Sequence, residues 1–381
     1  MWGNLRVTTQ THRPHTHNGA CDDEHHHNRV QSHDHDGERI LAIDLGKYKS
    51  VACDYLAMTG EVGFTTIDTS RAEMDKLLRK RRPDVVVIEA CALSGWVYDL
   101  CGELRLPCRV ANTASEAWKF KNAKRKTDRD DALRLAQLEA LLQLPTVTIP
   151  AKPVREWRGL IAHRQALVCR RVSIQNKIRA ILVVQGLPAP RGAKAWTELG
   201  LAGLAQLAKP LADCPPAELW RGRLDRTLTE YRQVVELVAT VEKTLDGIGA
   251  KDRQVQLLLS IPGVGPRTAE AVAAHLDDPH RFRNANEVSA YAGLVPRQFQ
   301  SGESNRKGRI TRRGPALLRK LLVECAWCCL RYNDWARSVY LRLTAGGTTR
   351  KKPAIVALAR KLLVRCWAVL RTGQRWRTAA A

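Results

Sequence analysis

The sequence predicts an α/β domain followed by a long helical segment and a mainly helical C-terminal region. Three observations carry this expectation: alternating strand and helix patterns from 38 to 148, a heptad-like apolar seam from 224 to 248, and a glycine hairpin pattern from 258 to 269. With 381 residues, 44% of them hydrophobic, the chain can bury more than one core.

From Arg39 the run R-I-L-A-I-D-L-G reads as a strand. K-S-V-A-C-D-Y-L-A-M-T-G and E-V-G-F-T-T-I-D follow, and glycine turn signals join the three into an antiparallel meander. A helix over Arg71–Arg82 leads to D-V-V-V-I-E-A, an uninterrupted apolar run of the kind buried on both faces of a sheet. Another helix and the short strand C-R-V-A-N complete a β-β-β-α-β-α-β order, which matches an RNase H-like α/β core over 38–148.

Residues 149–250 carry almost no strand signal. Leu224, Leu228, Tyr231, Val235, Val238, Val241, Leu245 and Ile248 are spaced three and four apart, close to a coiled-coil seam, so this helix pairs either with another helix or within its own domain. Residues 251–381 read as helices broken by a stretch rich in Gly and Arg. Residues 1–37 hold His12, His15, His17, His25, His26, His27, His33 and His35 with almost no aliphatic side chains, and are expected to be disordered.

Lys plus Arg number 62 against 38 for Asp plus Glu, a net charge of +24, spread along the chain rather than gathered in one tail. Such an excess calls for a polyanion, and its spread favours a large nucleic-acid footprint over a small anionic ligand. No apolar run approaches the roughly 20 residues that span a bilayer, and no signal-peptide core is visible, so a cytoplasmic protein with no membrane partner is expected. The 11 cysteines fit reduced thiols, and Cys325, Cys328 and Cys329 read as small core residues on a helix rather than metal ligands.

Acidic residues stand out against this basic background. Asp44 ends the first strand and Glu89 ends V-V-V-I-E; in a sheet of this order the two strands are neighbours and their carboxylates converge. In K-R-K-T-D-R-D-D-A, Asp128 and Asp131 are three apart on one face of a helix running to Gln143, while Asp130 points elsewhere and can pair with basic neighbours. Four uncompensated carboxylates repel, and an all-oxygen set suits Mg²⁺ or Mn²⁺, ions that serve phosphodiester chemistry. The adjoining Lys124, Arg125 and Lys126 would hold the polyanion.

Leu258, Ile261, Gly263, Gly265 and Ala269 form the pattern of a helix-hairpin-helix, in which glycine backbone N–H groups and a helix N-terminus meet DNA phosphate; Arg267 adds a cation. Downstream, Ser301 stands on an expected flexible loop beside Arg306, Lys307, Arg309, Arg312 and Arg313. Its hydroxyl can attack phosphorus or simply donate a hydrogen bond to phosphate.

Taken together, I-D-L-G, V-I-E-A-C, K-T-D-R-D-D-A, I-P-G-V-G-P-R-T-A, Y-A-G-L-V-P-R-Q-F-Q-S-G and I-T-R-R-G resemble the DEDD transposases of insertion-sequence family one-ten, relatives of the Piv-type DNA invertases, over about 39–372. The resemblance implies a RuvC-like domain, a helical coiled-coil linker and a C-terminal transposase domain. It also implies Mg²⁺ held by Asp44, Glu89, Asp128 and Asp131, attack by Ser301 to give a transient phosphoserine link to DNA, and guidance by a non-coding bridge RNA. Composite sites shared between subunits, a dimer, and a tetramer at synapsis follow from the same likeness. The His-rich start has no counterpart in the family pattern, and the glycine that often follows the Glu motif closely arrives only at Gly95. Competing readings are a RuvC-like endonuclease that hydrolyses DNA, an actin-like ATPase suggested by I-D-L-G-K-Y-K-S, and a non-catalytic DNA-binding protein. The first leaves Ser301 unexplained, the second lacks further nucleotide motifs, and the third leaves the carboxylates unexplained.

Overall fold

A computed structural model describes residues 38–112, 127–301, 304–345, 347 and 350–377. The His-rich segment and Lys124, Arg125 and Lys126 lie outside the described residues. The chain divides between Val147 and Thr148 into two compact units.

The first unit contains β1 (Arg39–Asp44), β2 (Lys49–Leu56), β3 (Val62–Asp68), α1 (Arg71–Arg81), β4 (Val85–Glu89), α2 (Ser94–Glu103), β5 (Cys108–Ala111) and α3 (Asp128–Ala140). Its sheet has the order β3-β2-β1-β4-β5. β2 runs antiparallel to β1 and β3, whereas β4 and β5 run parallel to β1 and to each other. One reversed strand in this order is the RNase H-like arrangement. Ile40, Leu41, Ala42 and Ile43 are all 0% exposed, which fixes β1 as the central strand. The V-V-V-I run of β4 is buried beside it, because parallel strands need apolar cover on both faces.

The second unit contains α4 (Lys152–Val184), α5 (Glu198–Leu207), α6 (Leu219–Lys251), α7 (Arg253–Leu258), α8 (Pro266–Leu276), α9 (Ala285–Tyr291), β6 (Pro296–Ser301), β7 (Ser304–Ile310), α10 (Ala316–Tyr332), α11 (Asp334–Thr344) and α12 (Lys351–Thr372). α4 and α6 run antiparallel: Arg164 bonds Glu242, and Arg170 bonds Glu230 at 3.0 Å. The apolar seam of α6 is spent on this pairing, with Leu224, Leu228, Tyr231, Val238 and Leu245 buried. One seam position differs from expectation. Val234 is 1% exposed and Val235 is 37% exposed, because a straight helix turns every 3.6 residues and drifts off a strict heptad.

α5 packs against the α4–α6 pair through Leu201 and Leu204, and α7 to α12 gather around a second core that includes Leu258, Ile261, Leu322, Cys329, Leu358 and Cys366. Cys325 and Cys329 belong to this core as expected, whereas Cys328 is exposed, one position round the helix from the buried face. Among the described residues, no helix is long and apolar enough to cross a membrane.

Candidate functional site

Asp44 and Glu89 end adjacent parallel strands. The ladder pairs Ile43 with Ile88, so the next step sets Asp44 beside Glu89 at the neighbouring-strand spacing of about 4.8 Å. Both residues are half-buried, at the edge of a fully buried apolar layer. The strands hold the two acids rigidly and leave their carboxylates within reach of a ligand.

α3 supplies the other acids. Thr127 caps it and Asp130 closes a capping box: the Thr127 hydroxyl accepts from the Asp130 N–H at 3.2 Å and donates to Asp130 Oδ2 at 2.7 Å. The Asp130 carboxylate thus starts the helix, and its expected basic neighbours Lys124, Arg125 and Lys126 lie outside the described residues. Asp128 and Asp131 lie in the same first turn, exposed and half-buried respectively, on the stripe that continues into buried Leu135 and Leu138.

α3 packs on β1, β2 and β4. The Arg129 guanidinium lies 5.6 Å from the Phe64 ring of β3 at one end, and Glu139, 1% exposed, pairs with Arg109 of β5 at 2.8 Å at the other. The helix therefore crosses the sheet, bringing its acidic first turn in over the β3 side. The four acids stand as two pairs. Among the described residues, no three His, Cys, Asp or Glu side chains are close enough together to hold a metal ion. The donor chemistry, carboxylate oxygen throughout, suits a hard divalent cation.

In the second unit, Ser301 corrects the loop expectation. It ends β6, and its backbone pairs with Ser304 in the last rung of a two-stranded antiparallel ribbon with β7. Phe299, Arg306 and Arg309 on this ribbon are exposed, as are Arg312 and Arg313 just beyond it, and Lys307 pairs in register with Gln298. Two glycines close the ribbon's base. A Cβ on Gly293 would meet the Arg313 carbonyl oxygen at 2.0 Å, and one on Gly314 would meet that of Tyr291 at 1.9 Å. Arg319 of α10 then donates to the carbonyl oxygens of Ala292, Arg313 and Gly314 at 3.1, 2.9 and 2.9 Å, tying the entering and leaving limbs together. The sequence reading missed Arg319. Its signal was present, an arginine one turn into the helix that follows R-R-G.

α7, the turn I-P-G-V-G and α8 occupy the predicted helix-hairpin-helix, but its residues divide in role. Gly263 has φ +89°, and a Cβ there would meet the Cys329 Cα at 2.8 Å, so this glycine lets the turn approach α10. Gly265 faces open space at the N-cap of α8. Arg267 is not presented to solvent as a phosphate ligand. It bonds Asp246 and lies 3.2 Å from Glu270, whose burial pushes its carboxyl up to about 7 against the pull of Arg267.

An RNase H-like sheet with paired acids at its strand ends, joined to a basic helical unit, defines an enzyme that processes nucleic acid. Known families narrow this. A DEDD transposase pattern of the IS110 group matches residues 41–185, and the transposase pattern of the IS116/IS110/IS902 family matches residues 255–341. A probable family 20 transposase of Pseudomonas aeruginosa is 32% identical over 310 residues, covering 79% of this chain and 88% of its own. The transposase for insertion sequence element IS1111A of Coxiella burnetii is 29% identical over 354 residues, covering 90% and 92%. The chain belongs to the IS116/IS110/IS902 family of insertion-sequence transposases. Cleavage and joining of DNA strands is the activity that membership implies, together with dependence on a divalent metal. The Thermus thermophilus RuvC structure aligns with 29% of this chain and 99% of its own at 16% identity and a TM-score of 0.21, so the fold assignment rests on the strand order instead.

Proposed function

We propose that this transposase cuts and rejoins DNA through a covalent link between Ser301 and a DNA phosphate. The Ser301 oxygen forms a bond to phosphorus as the bridging P–O bond breaks. The hydroxyl proton leaves to a base or solvent, and the released strand end departs as a hydroxyl. Attack by another strand end reverses these changes, so one phosphodiester is exchanged for another with no net bond lost. The supporting observation is that the chain carries two separate sets of chemistry: paired acids on a rigid sheet, and a serine at the end of an arginine-flanked ribbon clamped at its base.

In this reading Asp44, Glu89, Asp128 and Asp131 hold Mg²⁺ or Mn²⁺, which when bound polarises phosphate and eases ionisation of an attacking hydroxyl. Arg306, Lys307, Arg309, Arg312 and Arg313, with the open N-terminus at Gly265 and the preceding Lys124, Arg125 and Lys126, bind the DNA backbone. Such contacts read no sequence. A non-coding bridge RNA that pairs with donor and target would supply base recognition, and the +24 charge accommodates both nucleic acids. Catalysis would take place in a homo-oligomer, a dimer that becomes a tetramer at synapsis, acting on nucleoid DNA in the cytoplasm. Because the α6 seam is already buried against α4, assembly would use another surface, with 149–250 as a connecting arm and 251–381 as the module that bears the serine.

Trapping is the direct test. A DNA substrate nicked so that the cleaved end diffuses away should leave an adduct that denaturing electrophoresis resolves and peptide mapping places on Ser301. Ser301→Ala should abolish both adduct and cutting. An adduct on a different side chain, or Ser301→Ala cutting at the normal rate, would replace this reading with metal-dependent hydrolysis.

A further inference from the structure

We propose that a cleft between α11 and α12 binds an unpaired nucleotide of a single-stranded nucleic acid, base against indole and phosphate against arginine. The cleft has a volume of about 580 Å³ and is lined by Trp335, Arg342, Arg365, Arg375, Trp376 and Arg377, among others. That size falls within the roughly 300–1,000 Å³ of small-ligand sites, large enough for one nucleotide and too small for a paired duplex.

The strap after α12 builds one wall. Its Trp376 N–H donates to Ser260 Oγ at 2.9 Å, and the Trp376 ring meets Trp335 edge to face with centroids 5.6 Å apart. Arg365 lies 5.6 Å from the centroid of the Trp335 ring. A guanidinium held on an indole keeps its N–H edge directed outward, the geometry that serves phosphate.

Two features of the cleft favour a phosphate-bearing ligand. The Trp376 indole Nε1–H, on a residue that lines the cleft, is buried without a hydrogen-bond partner. Four arginines line one cavity, and among the described residues none of Arg342, Arg365, Arg375 and Arg377 is in an ion pair. The acid present, Asp334, pairs instead with Arg337 at 3.2 Å. Like charges gathered without a counter-ion repel, and a phosphate removes that cost. An acidic peptide would use the arginines and leave the indole pair unexplained, whereas aromatic rings interleaved with cations are how single strands are held. None of the residues assigned above to catalysis takes part, so failure here leaves the Ser301 reading untouched.

The test uses the full chain with labelled oligouridine and oligothymidine of about 12 nucleotides, the two arms separating an RNA source from a DNA one. Arg375→Glu with Arg377→Glu, both exposed and tolerant of change, should weaken single-strand binding at least about tenfold, and Trp376→Leu by about tenfold. Duplex binding should be nearly unchanged in all variants. Oligomers carrying a photoreactive 4-thio base should cross-link to Trp335 or Trp376. Three results overturn the proposal: cross-links that map outside the cleft, variants that weaken duplex and single-strand binding by the same factor, or displacement of the oligomer by polyglutamate as readily as by unlabelled strand.

Discussion

The strands that carry the acids and the strand that carries the serine are opposite kinds of structure. β1 and β4 are central in a five-stranded sheet, and the residues before Asp44 and Glu89 are almost fully excluded from solvent. β6 and β7 form an isolated ribbon, with Phe299 60% exposed. Two strands alone are marginally stable in water, so this ribbon depends on its base, where Gly293, Gly314 and Arg319 lock the chain. The difference teaches a division of labour. Ligands for a metal need fixed separation, which a buried sheet gives. If Ser301 is the nucleophile proposed above, its entry into a DNA backbone from outside gains from a slender support anchored at one end.

The largest effect should come from the rigid side. Asp44→Asn or Glu89→Gln should lower strand cleavage on the order of 10³-fold or more while the sheet melts as before, since neither side chain belongs to the core. DNA binding measured by electrophoretic shift should survive. A comparable loss of binding would mean that the acids support the structure and break the comparison.

The ribbon's base should give the next effect, and a more graded one. Removing Arg319 leaves three carbonyl oxygens without their donor, which costs about 2 kcal/mol locally. Arg319→Ala should lower strand transfer about 10- to 100-fold and speed hydrogen exchange across 293–314, with exchange in 39–111 unaltered. Arg319→Lys should recover most of this, because all three carbonyls meet the single nitrogen Nη1 and an ammonium carries three N–H donors at one point. Equal exchange in wild type and Arg319→Ala would show that the glycine pair alone holds the base.

This contrast also explains what could be read from the sequence. The sheet was legible because burial writes itself into composition: V-V-V-I-E admits little else, and strand order followed from element order. Asp44 and Glu89 were legible for the same reason, each being the first polar residue after an apolar run. The ribbon was not. P-R-Q-F-Q-S and S-N-R-K-G-R-I are polar on both faces and lack the alternation that marks a strand, so Ser301 was expected on a loop. Arg267 misled because sequence cannot say that Asp246 and Glu270 lie within its reach. On α6 the heptad spacing found the helix and most of its buried face, then slipped by one residue at Val235. Val234→Ala should accordingly destabilise the second unit by about 1–3 kcal/mol and Val235→Ala by less than about 0.5 kcal/mol in urea titrations. The reverse order would restore the strict heptad.

A smaller, pH-dependent effect should separate the units further. Glu270 is buried on α8 among Arg267, Asp246, Arg164 and Glu242, and burial lifts its carboxyl from the ordinary 4.5 to about 7. Between those values the folded chain keeps a proton that the unfolded chain has released. Stability of the second unit should therefore be highest below about pH 4.5 as far as this group is concerned, and fall as pH rises through about 7. Glu270→Gln removes the titration but keeps the shape. It should match wild type near the acid end of that window and exceed it at pH 8, with the gain confined to the helical unit's melting transition. A variant whose stability keeps the wild-type pH slope would assign that slope to other groups, and Glu270 would then be ionised in the fold and held by Arg267.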